Sequence, residues 1–255
     1  MYQSTQTKYH CIRFRIRSEL IKRLSTIVAV AFCLTAPAAF AQSAGPFPGS
    51  AVDSKTLIIQ ERVDELFEEG EYKRALFIYR NELAPIGDKY AQYMIGYMYL
   101  TGTGVQEDPL LASAWYRLAA ERSYKEFLNE RDQILSLFSD VDLVRSDVLY
   151  LELRRQYSDV VLLLGAIQDD LDAMAKQTGS RLSTRGSPGM IVDWRSGSSM
   201  SADQYYGRMN KRIEARLKFM AAELGMPNLN TDPDAVDVAE LERIVAEFVA
   251  TISDR

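Results

Sequence analysis

The chain has 255 residues, with 30 Lys and Arg against 35 Asp and Glu, a net charge of −5, one histidine and two cysteines. His10, Cys11 and Cys33 all fall within the first forty-one residues, a segment that reads as removable. Once it is gone, no imidazole or thiolate is left for metal binding or nucleophilic catalysis, which excludes zinc hydrolases, Ser-His-Asp enzymes and thiol oxidoreductases.

That segment has the order of a secretory signal. Lys8, Arg13, Arg15, Arg17, Lys22 and Arg23 precede the uncharged run LSTIVAVAFCLTAPAAFA, which closes on Ala39-Phe40-Ala41. A basic region, a short apolar region and small residues before the cut predict a signal peptide over 1–41, cleaved between Ala41 and Gln42. It carries six of the 30 basic and one of the 35 acidic residues, leaving 24 against 34, or −10. A body this acidic is unsuited to nucleic acid, whose phosphates need Lys and Arg. The run VVLLLGA at 160–166 is too short to cross a bilayer, so no integral membrane segment is expected in the mature chain. The expectation is an exported protein, periplasmic or secreted, with no cofactor and no metal.

Residues 42–52, QSAGPFPGSAV, form a flexible lead-in rich in Gly, Pro and Ser. From residue 53 apolar residues recur at helical spacing: Ile59, Val63, Leu66 and Phe67, then Gly70, then Ala75, Leu76, Ile78 and Tyr79. Two short helices joined at a glycine make a helix hairpin. The pattern recurs in KYAQYMIGYMYL, the corner TGTGVQEDP and the helix LLASAWYRLAAER, where Asp108-Pro109 marks a helix start.

A glycine pair before an apolar helix raises the question of a phosphate-binding loop. Such a loop needs a preceding strand and a basic partner. Here a helix precedes, and Gln106-Glu107-Asp108 follows, which repels phosphate. Gly102 and Gly104 therefore read as a corner between packed helices.

The stretch 91–121 resembles a Sel1-like repeat, a helix-hairpin unit related to the tetratricopeptide repeat. The resemblance is carried by Ala91, Ile95-Gly96, Tyr99, the corner Gly102-Thr103-Gly104-Val105, Asp108, Ala112, Trp115-Tyr116 and Ala119-Ala120. It departs at RSYKEF, where a glycine usually closes the second helix. The resemblance implies an all-α helix-hairpin solenoid over 53–122, with packing roles for those residues and a role in holding another protein.

Further helices are predicted over 123–178 as possible capping units of the stack. Residues 179–201 shift to Gly, Ser and Arg, with MIVDW and RSGS suggesting a loop or short hairpin. In the C-terminal helices, 202–255, Ser201 and Gln204 form a capping-box pattern. Met209, Ile213, Leu217, Met220 and Leu224 then mark a buried face. Arg208, Lys211, Arg212, Arg216 and Lys218 make the same helix basic. They are a solvated face, or else a contact for an anionic surface.

No residue is assigned a catalytic role. Neighbouring carboxylates such as Glu68/Glu69 and Asp169/Asp170 point about 100° apart on a helix, so they read as solubilising charge. Met94, Tyr97, Leu100 and Thr101 lie where the repeat pattern is permissive, on the helix that lines the concave side of such solenoids. They are the candidate partner contacts, weighed evenly against packing between repeats. The leading expectation is thus a non-enzymatic scaffold or adaptor binding another envelope protein. The alternatives are a cell-wall-directed enzyme or ligand binder built on carboxylates and Trp194, and a homo-oligomeric unit joined through the 205–224 helix.

Overall fold

Helical spacing of the apolar residues becomes helix throughout the computed structural model, which describes residues 54–179, 190–192 and 199–251. The leader, the Ala41–Gln42 cut, the lead-in and Trp194 lie outside the described residues.

Two helices, α1 (Ser54–Glu68) and α2 (Tyr72–Ile78), turn at Gly70, whose φ of 80° is the left-handed region that favours glycine. α2 widens into a π turn at Tyr79–Leu83 and tightens at Ala84–Ile86, where Pro85 ends the ladder. The repeat hairpin follows as α3 (Lys89–Thr101) and α4 (Pro109–Ala119). Asp88 caps α3 by accepting from the Ala91 N–H, and Asp108 caps α4 by accepting from the Leu110 and Leu111 N–H groups.

α5 (Lys125–Ser136) and α6 (Asp140–Tyr157) complete this unit. Phe127 and Ile134 of α5 are buried in one core with Val63, Tyr79, Tyr93, Ile95 and Trp115, and Tyr150, Leu153 and Tyr157 of α6 pack against it. α7 (Asp159–Gly179) begins two residues after α6 ends but feeds a different core. Its Val160, Leu163 and Ile167 meet Ile213, Leu217 and Met220 of α8 (Ala202–Glu223) and Leu241, Val245 and Val249 of α9 (Val238–Val249). The helices of 123–178 therefore divide at Ser158. α5 and α6 extend the hairpin stack, and α7 starts a second bundle.

Between α7 and α8, β1 (Met190–Val192) pairs antiparallel with β2 (Ser199–Ser201), placing Ile191 opposite Met200. Ser201 and Gln204 make the reciprocal capping box at the start of α8.

Two readings of charge need correction. Asp170 is not solubilising: it is fully buried on α7 and receives Arg212 twice at 2.7 Å and Arg216 at 2.6 Å from α8. Arg212 and Arg216 consequently belong to an internal ion pair rather than to a free basic face. Only Arg208, Lys211 and Lys218 of that set are exposed, and Lys218 pairs with Glu214 one turn away. A helix pattern cannot reveal this, because the partner carboxylate sits about forty residues earlier on another element.

Candidate functional site

The hairpin corner is built from its own backbone. Gly102 (φ 70°) ends α3, the Thr103 N–H donates to the Met98 carbonyl, and the Asp108 N–H donates to the Tyr99 carbonyl at 2.9 Å. Gly104 (φ 74°) lies against α2, where an added Cβ would sit 2.6 Å from Tyr72 Cβ and 2.8 Å from its carbonyl carbon. With the corner pressed onto the preceding hairpin, no room remains there for a phosphate.

Close approach of α3 and α4 has one narrowest point. A Cβ on Gly96 would lie 2.7 Å from the Tyr116 ring, and that ring stacks on Tyr93 (5.2 Å), which stacks on Phe127 (5.3 Å). Ala91, Ala112, Ala119 and Ala120 are buried along the same seam, and Trp115 lies 5.0 Å from Tyr157 of α6. Ser113 and Ser146 share a buried hydroxyl pair at 2.7 Å that joins α4 to α6. Tyr99 and Val105 pack against the same core.

The four candidate contacts all touch this packing, and one of them, Met94, is buried in it. Met94 is only 6 % exposed and belongs to the core. Tyr97 and Leu100 are half-buried, with Tyr97 6.4 Å from Phe67 of α1. The Thr101 hydroxyl donates to the Tyr97 carbonyl and pairs with Thr103 at 2.7 Å, which holds the corner. α3 sits mid-stack, between α1–α2 and α4, which buries Met94 and leaves Tyr97, Leu100 and Thr101 partly exposed.

Exposed apolar side chains occur elsewhere. Val141, Val144 and Val148 of α6 are 61, 63 and 53 % exposed. Their spacing of three and four residues aligns them in one row.

The chain also ties its two cores together with charge, at residues the sequence did not single out. Lys89, fully buried at the first turn of α3, bonds Glu121 (2.8 Å), Asp159 (3.0 Å) and the Leu118 carbonyl. Arg122 pairs with Asp159 at 2.7 Å and donates to the Gly87 carbonyl. Burial raises the Glu121 carboxyl above its usual range, with Lys89 opposing. Burial also works against the Asp159 carboxylate, but Lys89 and Arg122 outweigh it and hold its pKa low. This network closes the hairpin where the expected glycine is absent. Ser123 adopts the left-handed conformation instead (φ 57°), the one non-glycine among the described residues to do so.

Beside the network, a cleft of about 610 Å³ opens between α4–α6 and α9, lined by Arg117, Glu121, Arg131, Tyr150, Arg154 and Phe248 among others. Glu121 reaches it as the ion-paired partner of Lys89, and its pKa is raised by burial against that contact. Burial likewise pushes the Tyr150 phenol up to about 12.

Short antiparallel helices closed by a glycine corner and stacked on a preceding hairpin define a helix-hairpin repeat of tetratricopeptide-like form. Residues 89–124 match the family description of the Sel1 repeat. The chain carries a Sel1 repeat, a helical unit that generally mediates protein–protein interaction and is typically non-enzymatic. No curated protein and no solved structure matches the chain. Among the described residues, no helix is long and apolar enough to cross a membrane.

Proposed function

We propose that this chain is an exported, non-enzymatic adaptor of the bacterial cell envelope, whose stacked hairpins hold another envelope protein along the outer face of α6. One observation carries the reading. A core this fully packed leaves the Val141, Val144 and Val148 row uncovered, and an aligned apolar row on a repeat surface is what a partner would bury. Export is supported by the basic leader, the apolar run and the Ala39-Phe40-Ala41 ending.

The test is crosslinking in the producing cell followed by purification from the envelope fraction, comparing the parent with Val144→Asp. Helix content of the variant is checked first by circular dichroism. A stoichiometric protein partner recovered with the parent and lost with Val144→Asp is expected. Loss instead with Phe77→Ser, whose ring is exposed on α2, would move the contact to the other end of the stack. Recovery of an uncleaved chain from the cytoplasm would overturn export. Recovery of only further copies of this chain would replace the adaptor with a homotypic unit.

A further inference from the structure

The hairpin stack and the α7–α9 bundle are two bodies whose main chain meets at one residue. α6, of 18 residues, ends at Tyr157, and α7, of 21, begins at Asp159. Ser158 between them leaves the helical path, with φ −66° and ψ 150°. Among the described residues the two cores share no side chain. Beyond the joint, the cleft of about 610 Å³ parts the two bodies, with Leu128, Leu135 and Tyr150 on the wall of the stack and Val160, Glu223 and Phe248 on that of the bundle.

Polar ties of two kinds bridge this boundary. At the joint, Asp159 is held by Lys89 (3.0 Å) and Arg122 (2.7 Å), and its N–H donates to Glu121 (3.1 Å). Breaking into a buried charge cluster is costly, so the first turn of α7 is anchored to the stack. One turn before the joint, Arg154 Nη1 donates to the carbonyls of Phe248 and Thr251 at the end of α9, and its guanidinium lies 4.5 Å from the Phe248 ring centre. This second tie is imperfectly matched. Arg154 Nε and the neighbouring Ser158 Oγ are buried without a hydrogen-bond partner, whereas buried polar atoms in a settled interface nearly always have one. An interface within one chain holds its halves rigid when it is large and apolar. Here a cleft separates the walls and leaves Leu128, Leu135 and Phe248 half-buried.

We propose that α7–α9 is a hinged lid over this cleft: the bundle turns as one body at Ser158, with the Asp159 cluster as its pivot and the Arg154 bonds to α9 as the latch that sets its position. Hinges are commonly element-terminal residues of this kind, which absorb the change in φ and ψ while the packed bodies stay intact. Closure would bury Leu128, Leu135 and Phe248 further, which favours it, and the latch opposes it. The valine row on α6 belongs to the stack alone, so the hinge does not depend on it.

Distances between paired spin labels, measured by double electron–electron resonance, test the hinge. The full chain is used with Cys11→Ser and Cys33→Ser, which replace its two native cysteines. Gln133→Cys on α5 with Ala246→Cys on α9 reports across the cleft, and Gln133→Cys with Gln156→Cys on α6 reports within the stack; all three positions are exposed. The latched parent is expected to give one narrow distance for each pair. Arg154→Met keeps the apolar stem and removes the donors. It should broaden the cross-cleft distribution toward shorter distances and leave the pair within the stack unchanged. Ser158→Gly frees the joint and removes no side-chain hydrogen bond, so it should broaden the cross-cleft distribution as well, and it serves if Arg154→Met does not fold. A cross-cleft distance that stays as narrow as the parent's in both variants would overturn the hinge. Broadening in Ser158→Gly alone would overturn the latch, and broadening of the pair within the stack would overturn the division into two bodies.

Discussion

Two glycine-to-alanine substitutions in helices should move stability in opposite directions. At Gly96 the new methyl would lie 2.7 and 2.8 Å from the Tyr116 ring and 3.2 Å from the Ala112 carbonyl oxygen. Tyr116 cannot swing aside, because it is buried and stacked on Tyr93, which is itself stacked on Phe127. Overpacking of this kind costs about 1–3 kcal/mol, against about 1 kcal/mol gained by placing Ala rather than Gly within a helix. With α3 and α4 forced apart along a seam of alanines, the upper part of that range applies, and Gly96→Ala should lose about 1–2 kcal/mol net. At Gly165, exposed on α7, nothing lies within 4 Å of the new methyl. Only the helix term remains there, a gain of about 0.5–1 kcal/mol. For a chain of this size 1 kcal/mol moves the thermal midpoint by about 2–4 °C, so the two variants should separate by roughly 4–10 °C in calorimetry. A Gly96→Ala protein that melts with or above Gly165→Ala would refute the claim that the hairpin is held at Gly96–Tyr116 contact distance.

Removing the buried carboxylate in Asp170→Ala takes from Arg216 the ion-pair partner it holds at 2.6 Å inside the second core. The expected loss is about 3–5 kcal/mol in urea unfolding, and a loss under about 1 kcal/mol would show that the pair is not buried in solution. Stability should also depend on pH with an acid optimum. Burial raises Asp64, Asp88, Glu121 and Glu130 above their ordinary values of 3.8 and 4.5, so each holds its proton more tightly folded than unfolded. Their contribution is complete below those ordinary values and is lost as pH rises through the folded ones. Asp159 is lowered, so its contribution is present above 3.8 and lost as pH falls through its folded pKa. Thermal midpoints in dilute protein should therefore fall from mildly acidic to neutral pH. Glu121→Gln should flatten that slope, and a midpoint that climbs steadily to neutrality would contradict it.

Local signals were legible because local physics decides them. Asp108-Pro109 and Ser201 with Gln204 cap their helices as written, since a cap needs only the N–H groups two or three residues on. Met209, Ile213, Leu217 and Met220 are buried because a helix puts residues three and four apart on one face. The all-α hairpin architecture follows from that same periodicity together with the glycine corner.

What the sequence left open turns on which element covers which. The helix pattern gave Met94 and Tyr97 the same standing, whereas the placement of α3 between α1–α2 and α4 buries Met94 and leaves Tyr97 partly exposed. Arg212 and Arg216 looked like a basic stripe until the buried Asp170 of another helix met them, and nothing in the sequence marked Lys89 as the partner of Glu121 and Asp159. Arg154 shows the converse: nothing in LRRQYSD separates it from Arg155, yet one is buried beneath α9 and the other is exposed. The periodicity of a helix is written in the order of its residues. The pairing of its charges depends on through-space distances of a few ångströms between residues dozens of positions apart, and only the folded chain sets those.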